Sequence, residues 1–521
     1  MRIFAPFLIF FLLILSGGTS QAASLFAFSN SPGPFTVGFK AVHQYDYARA
    51  YRGEVDAVTG KRHDGEMARP MQTLVWYPSS APGKPLVYGD YLRMTGSEDD
   101  FSRTEAQASA FADNVIRNSY FSVSGLAQGE TVLRGAMRAQ VDAGAAQGSF
   151  PVVIYAPSIS APAAENADLC EYLASYGYIV IASPSVGTRG REMASDLDGA
   201  ETQAADVAFL FRYAHSLPHA DPKRVAVVGY SWGGLANVLV AAKDRRLKAL
   251  VDLDGSVRAY PDLVAAAKYV SPASIHVPML FAGGRPPSME QLAQRGKPMS
   301  GFLNDVKHAD LYKLTMYPMQ HFAFSSTYLR FAPDTMFNQY SRAEVNRAYG
   351  WVAEYVRYFL DAYLKEDGTA KTWLAATPAS HGMPAYAVTL DARPAALAPP
   401  GRTELAAELS RRGFEHAHAA YQALRARDKA FMLPESELNA WGYGLLLAGQ
   451  RRQAVEIFRL ATLVYPDSAN AFDSLADGYD QVGDKAAAIK HYRRSLELNP
   501  SNKNAQQRLG LLGSDREARA R

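Results

Sequence analysis

The residues best suited to chemistry lie in Val225–Ala242, VAVVGYSWGGLANVLVAA, where an apolar run enters Gly229-Tyr230-Ser231-Trp232-Gly233 and a helix-like run follows. A serine between glycines at a strand-to-helix turn is the arrangement of a nucleophile elbow. The glycines leave room for a strained backbone, and the helix N-terminus sets partial positive charge beside an oxygen anion. The five-residue pattern alone recurs by chance, but here both flanks have the character it needs. Ser231 is the candidate nucleophile, and the chemistry is attack on a carbonyl.

A serine hydroxyl is a weak nucleophile until an imidazole takes its proton, and a carboxylate must orient that imidazole. Both partners should follow Ser231, at the carboxyl ends of later strands. VDLDG offers Asp252 and Asp254, which share a face because they are two apart; Asp254 lies one pleat nearer the carboxyl end. Asp254 is the candidate acid and Asp252 a structural or hydrogen-bonding neighbour. The next strand runs into FAGGRPPSMEQ, where Glu290 is the alternative acid. Among the later histidines, His276 opens a strand and His308 precedes one. His321 follows YKLTMYPMQ directly and is the candidate base, with His381 as the fallback. The oxyanion would be met by the Trp232 N–H and by one from the loop APSISAPAAEN, for which Ile159 is the candidate.

The surrounding pattern supplies a scaffold. PVVIYAP, YIVIASP, RVAVVGY, LKALVDLDG, VPMLFAGG and YKLTMYP are short apolar runs separated by helix-like segments, such as Asn166–Tyr178 and Glu201–Ser216. That alternation predicts an α/β domain with a mostly parallel sheet covered on both faces. FTVGFKAVHQYDYAR and MQTLVWYPSS read as an antiparallel entry to it, and about 89–148 as a lid or insertion. After the helical run Arg342–Leu364, the Ala- and Pro-rich residues 389–404 read as a linker, so that the α/β part would span 23–388 and a helical part 405–521.

The tail repeats with a period of 34: Ala454 with Ala488, Phe458 with Tyr492, Pro466 with Pro500, Leu438 with Phe472 and Trp441 with Leu475. Small residues let two helices approach, large ones fill the gap, and proline ends each unit. In this spacing the segment from about 435 to 500 is similar to tetratricopeptide repeats. Arg411–Ala430 would add a degenerate helical pair and Asn502–Leu512 a capping helix. Such arrays present concave surfaces, which implies a protein or peptide partner.

The chain has 521 residues, more than one core usually serves, and 48% of them are hydrophobic. A formal net charge of +3 gives no basic field of the kind a nucleic-acid binder uses. One Arg, an apolar run from Ile3 to Leu15 and small residues before Ala22 read as a signal peptide over 1–22, cleaved to leave an exported chain, periplasmic or secreted, with no membrane span. Cys170 is the one cysteine, so no intramolecular disulfide can form, and it reads as simply buried. No Cys/His/carboxylate group has metal-ligand spacing, and the chemistry calls for no cofactor.

PGPFTVGFKAV, LVWYPSS, FPVVIYAPS, EYLASYGYIVIASPSVG, DPKRVAVVGYSWGG, ALVDLDGS and YPMQHFAFS, in that order, resemble the α/β-hydrolase superfamily, in its platelet-activating-factor acetylhydrolase and dienelactone hydrolase-like branch. The resemblance covers roughly Gly33 to Leu364. It implies a serine esterase with Ser231, Asp254 and His321 as triad, and an acid directly after the strand following the elbow. Where that branch commonly has His-Gly in the oxyanion loop, this chain has Pro157-Ser158. A dienelactone hydrolase proper would use cysteine, so that specific activity is not implied. Two other readings are a peptidase or amidase acting on cell-envelope material, and a non-catalytic scaffold that binds protein through its repeats.

Overall fold

The computed structural model describes residues 26–53, 62, 65–244, 246–286, 300–396, 400–429 and 431–520. The signal-peptide reading and Glu290 lie outside the described residues. The chain divides into two compact units, Met1–Ala396 and Leu397–Arg521.

The first unit is built on an eleven-stranded sheet: β1 Thr36–Ala50, β2 Ala68–Ser79, β3 Lys84–Val87, β4 Ala136–Val141, β5 Phe150–Ala156, β6 Ile179–Ala182, β7 Ala220–Tyr230, β8 Ala249–Leu253, β9 Met279–Gly284, β10 Leu311–Met316 and β11 Val388–Arg393. The order across it is β11-β10-β9-β8-β7-β5-β6-β2-β1-β4-β3. From β6 through β5, β7, β8 and β9 to β10 every pairing is parallel. The carboxyl ends of these strands therefore open on one edge, where α/β sheets assemble their sites.

Successive side chains of the central strands serve opposite faces. Val225 and Val227 pack with the helices Leu197–Ala214 and Trp232–Lys243, while Ala226 and Val228 pack with Ala167–Ser175 and Arg342–Leu364. Both faces are dry, so the strands read as continuous apolar runs. Leu235, Val238 and Leu239 on the helix after the elbow are wholly buried. Each contributes about 1.5–3 kcal/mol relative to an exposed position, which anchors that helix on the sheet. The fold is α/β-hydrolase-like: a mostly parallel sheet flanked by helices.

Two segments differ from the sequence reading. Within 89–148, Ala136–Val141 is β4, a parallel neighbour of β1, so only about 88–133 forms a helical excursion. At the other end, Thr389–Arg393 of the expected linker is part of edge strand β11, antiparallel to β10. AMRAQV, between β1 and the edge strand β3, and VTLDAR, at the opposite edge, carry charged residues on half-exposed faces and lack the apolar run that marks a central strand.

The second unit is helical. Glu435–Leu447 and Arg451–Val464 are followed, 34 residues on, by Ala469–Gln481 and Lys485–Leu498. Ala454, Phe458, Ala488 and Tyr492 are wholly buried, and a Cβ on Gly442 would come within 2.2 Å of the Phe458 ring. Small residues thus set the helix spacing. The preceding pair is Arg402–Arg412 with Ala417–Arg427, so its first helix starts inside the expected linker; Lys503–Ala520 closes the unit.

Candidate active site

Ser231 joins β7 to the helix Trp232–Lys243 with φ 54° and ψ −114°. A non-glycine backbone there costs about 1–3 kcal/mol and persists only when its surroundings hold it. Its N–H donates to Leu253 O at 3.1 Å, and its own carbonyl accepts from Gly234 N at 3.1 Å and Ser256 N at 2.8 Å. The flanking glycines are steric requirements. A Cβ on Gly233 would lie 2.0 Å from Ala156 O, and one on Gly229 would lie 2.5 Å from the Gly233 backbone.

The structure brings three of the candidates together. Ser231 Oγ and His321 Nε2 are 2.8 Å apart, and His321 Nδ1 is 2.8 Å from Asp254 Oδ2. With Nδ1–H donating to Asp254, Nε2 is left to accept the serine proton. His321 is presented by the chain after β10, where Tyr230 Oη donates to the His321 carbonyl at 2.9 Å. Asp254 leaves β8 with φ 46°, and its N–H donates to Ala282 O at 2.7 Å. Its second oxygen, Oδ1, accepts from Gly284 N at 3.1 Å and from Arg258 Nη2 at 2.6 Å. Burial alone would push this carboxyl up, but the hydrogen bond and charge of His321, the Arg258 guanidinium and the Gly284 N–H outweigh it. They hold Asp254 below the usual carboxylate range.

Asp252 does not share the site. It stays within β8, wholly buried, while the left-handed turn at Asp254 carries the second carboxylate away to His321. The expectation of a common face fails because that alternation holds only while the chain remains extended. Asp252 packs beneath the elbow helix, where a Cβ on Gly234 would lie 2.4 Å from Oδ1 and one on Gly255 1.9 Å. The Gly255 N–H is the donor that faces the carboxyl and, with Arg258, opposes the effect of its burial. Burial, opposed by Arg258 and reinforced by the Asp254 charge, pushes it up to about 8. The remaining histidines are engaged elsewhere: His381 stacks on Trp373, and His276 on His308.

The loop after β5 runs beside the elbow and is pinned on both sides of Ile159. Ser158 N–H and Oγ donate to Glu165 Oε2 and Oε1 at 2.8 and 2.5 Å. Ser160, at φ 55°, accepts from Met193 N at 2.8 Å, and Gln203 Nε2 donates to Pro157 O at 2.7 Å. Between these fixed points the Ile159 N–H has no hydrogen-bond partner among the described residues, nor has that of Trp232 at the first helical position. The helical excursion packs on these loops: Glu98 accepts from Ala163 N and Arg191, and Tyr120 stacks on Phe331 at 4.9 Å.

Two polar residues at the site carry no sequence signal of their own kind. Arg258 sits four residues past the acid in an unremarkable turn. Glu165 is one carboxylate among small residues in PAAEN, a position whose isolation is the only hint. Among the described residues no group of three or more His, Cys, Asp or Glu is placed to hold a metal ion, and no helix is long and apolar enough to cross a membrane.

No curated protein matches the chain. Among solved structures, a ferulic acid esterase from Streptomyces cinnamoneus is similar at 19% identity and a TM-score of 0.46, covering 70% of this chain and 98% of that one. Residues 137–355, the stretch that holds Ser231, Asp254, His321 and the loop after β5, match the model of the dienelactone hydrolase family.

Proposed function

We propose that the protein is an exported serine hydrolase of carboxylic esters, working through an acyl-enzyme on Ser231. The observation that carries this reading is the continuous hydrogen-bond chain from Ser231 Oγ through His321 to Asp254, 2.8 Å at each step. The dienelactone hydrolase match over the same residues supports ester hydrolysis as the reaction class. Export rests on the composition of residues 1–22.

In this mechanism Ser231 Oγ attacks the ester carbonyl carbon as His321 Nε2 takes its proton, and the carbonyl oxygen becomes an anion. The N–H groups of Trp232 and Ile159 meet that anion, aided by the helix N-terminus. Collapse breaks the ester C–O bond; the leaving alkoxide takes the proton from Nε2 and departs as alcohol. Water then attacks the acyl-enzyme, giving a proton to Nε2. The second tetrahedral adduct releases the acid and returns the proton to Ser231. Asp254 stabilises the imidazolium in both halves. The substrate is a small ester, and no metal or cofactor takes part.

The C-terminal unit, with its 34-residue recurrence, is read as tetratricopeptide-like and as a surface for a protein or peptide partner. Kinetics on p-nitrophenyl acetate beside matched amides test the bond class. The proposal expects kcat/KM for the ester to exceed that for the amide by about a hundredfold or more. Efficient amide cleavage with negligible ester turnover would replace it with a peptidase or amidase.

A further inference from the structure

Glu165 lies outside the triad yet ties the two loops of the site together. Its carboxylate accepts both donors of Ser158, and Tyr155 Oη donates to it at 3.3 Å. Its main-chain carbonyl accepts from Thr327 N at 3.1 Å and Ser325 Oγ at 3.2 Å, just past His321. The next residue repeats the link: Asn166 Nδ2 donates to Phe324 O at 2.9 Å, and its Oδ1 accepts from Ser326 N at 2.7 Å. One short segment therefore holds the loop that presents Ile159 and the loop that presents the base.

On the reading of the site as a serine esterase, we propose that Glu165 is a positioning residue whose ionised carboxylate fixes Ser158, so that the Ile159 N–H is aimed at the developing oxyanion. A carboxylate accepts both Ser158 bonds, and such charged bonds are roughly twice as strong as neutral ones. A carboxylic acid must turn one oxygen into a donor, so the clamp weakens and the loop's N–H is less well aimed.

The surroundings make that ionisation relevant near neutrality. The carboxyl is wholly buried and faces Tyr155 on β5, Tyr88 and Tyr120 of the helical excursion, Tyr230 at the end of β7, and Tyr328 after His321. Glu98 touches the same loop through Ala163 and is paired with Arg191. The cation-forming group whose charge reaches Glu165 is the His321 imidazole. Burial pushes Glu165 up to about 7, against the bonds from Ser158 and Tyr155 and the charge of His321.

The test is the pH dependence of kcat/KM on p-nitrophenyl acetate from pH 5 to 9, for the full wild-type chain, Glu165→Gln and Ser158→Ala, with active serines counted by fluorophosphonate labelling. The logarithmic wild-type profile should show a break near pH 7, where Glu165 takes up its proton. Glu165→Gln should remove that break and lower kcat by about tenfold or more, with KM within about threefold. Ser158→Ala, which leaves the carboxylate in place with one donor fewer, should move the break to higher pH.

A wild-type profile without that break overturns the proposal, as does a Glu165→Gln profile of wild-type shape at any kcat. Should that variant not fold, a Ser158→Ala profile superposing on wild type overturns it. Absence of labelling in the wild type would instead remove the esterase reading itself, so the two failures are distinguishable.

Discussion

Arg258 Nη2 lies 2.6 Å from Asp254 Oδ1, the oxygen of the triad acid that His321 does not use. The guanidinium also sits over the Phe281 ring, 4.5 Å from its centroid, which fixes its plane. The charge that steadies the imidazolium is thus shared between two cations. Both cations hold Asp254 ionised, below the usual carboxylate range, so that it can orient the histidine.

Replacing Arg258 with methionine keeps much of the apolar stem and removes the charge. Asp254 would keep His321 and the Gly284 N–H but lose a cation that helps hold its carboxyl below the usual range, so the carboxyl should rise and the acid limb of kcat/KM should move to higher pH. A fall in kcat of a few-fold should accompany it as Asp254 loses a tether. A pH–rate series decides: an unmoved limb, or one displaced to lower pH, contradicts the electrostatic role.

Asp252 gives a stability prediction with a definite sign. Its folded value of about 8 exceeds that of an unfolded aspartate, about 3.9, so the folded state keeps a proton that the unfolded state has released between those values. Its contribution to stability is complete below about pH 4 and is lost as pH rises through about 8. Asp252→Asn carries no such loss. Its melting temperature relative to wild type should rise by a few degrees between pH 5 and 9. Glu165 and Glu171, both pushed up to about 7, act alike in the two proteins and drop out of the difference. Parallel melting curves would show that Asp252 is already charged in the fold.

The central sheet and the cluster of Ser231, Asp254 and His321 were legible because the signals are local and ordered. An apolar strand runs into glycines and a helix, and an acid and a histidine follow later strands in turn. The turn that separates Asp254 from Asp252 was not legible, since period-two alternation says nothing about where a strand stops. Arg258 and Glu165 were missed for a different reason. Each acts on a residue four or seven positions away across an irregular turn, where no periodicity links them. Strands β4 and β11 escaped because their half-exposed, charged residues imitate loop composition.

Whether Ser231 is an activated nucleophile is decided by covalent labelling of the full chain with a fluorophosphonate. One phosphonyl group should attach per chain, on the Val225–Ala242 segment, at a rate that falls by about three orders of magnitude or more in His321→Ala; Ser231→Ala should not label. A wild-type protein that does not react, or a Ser231→Ala variant that labels as fast as wild type, would contradict it.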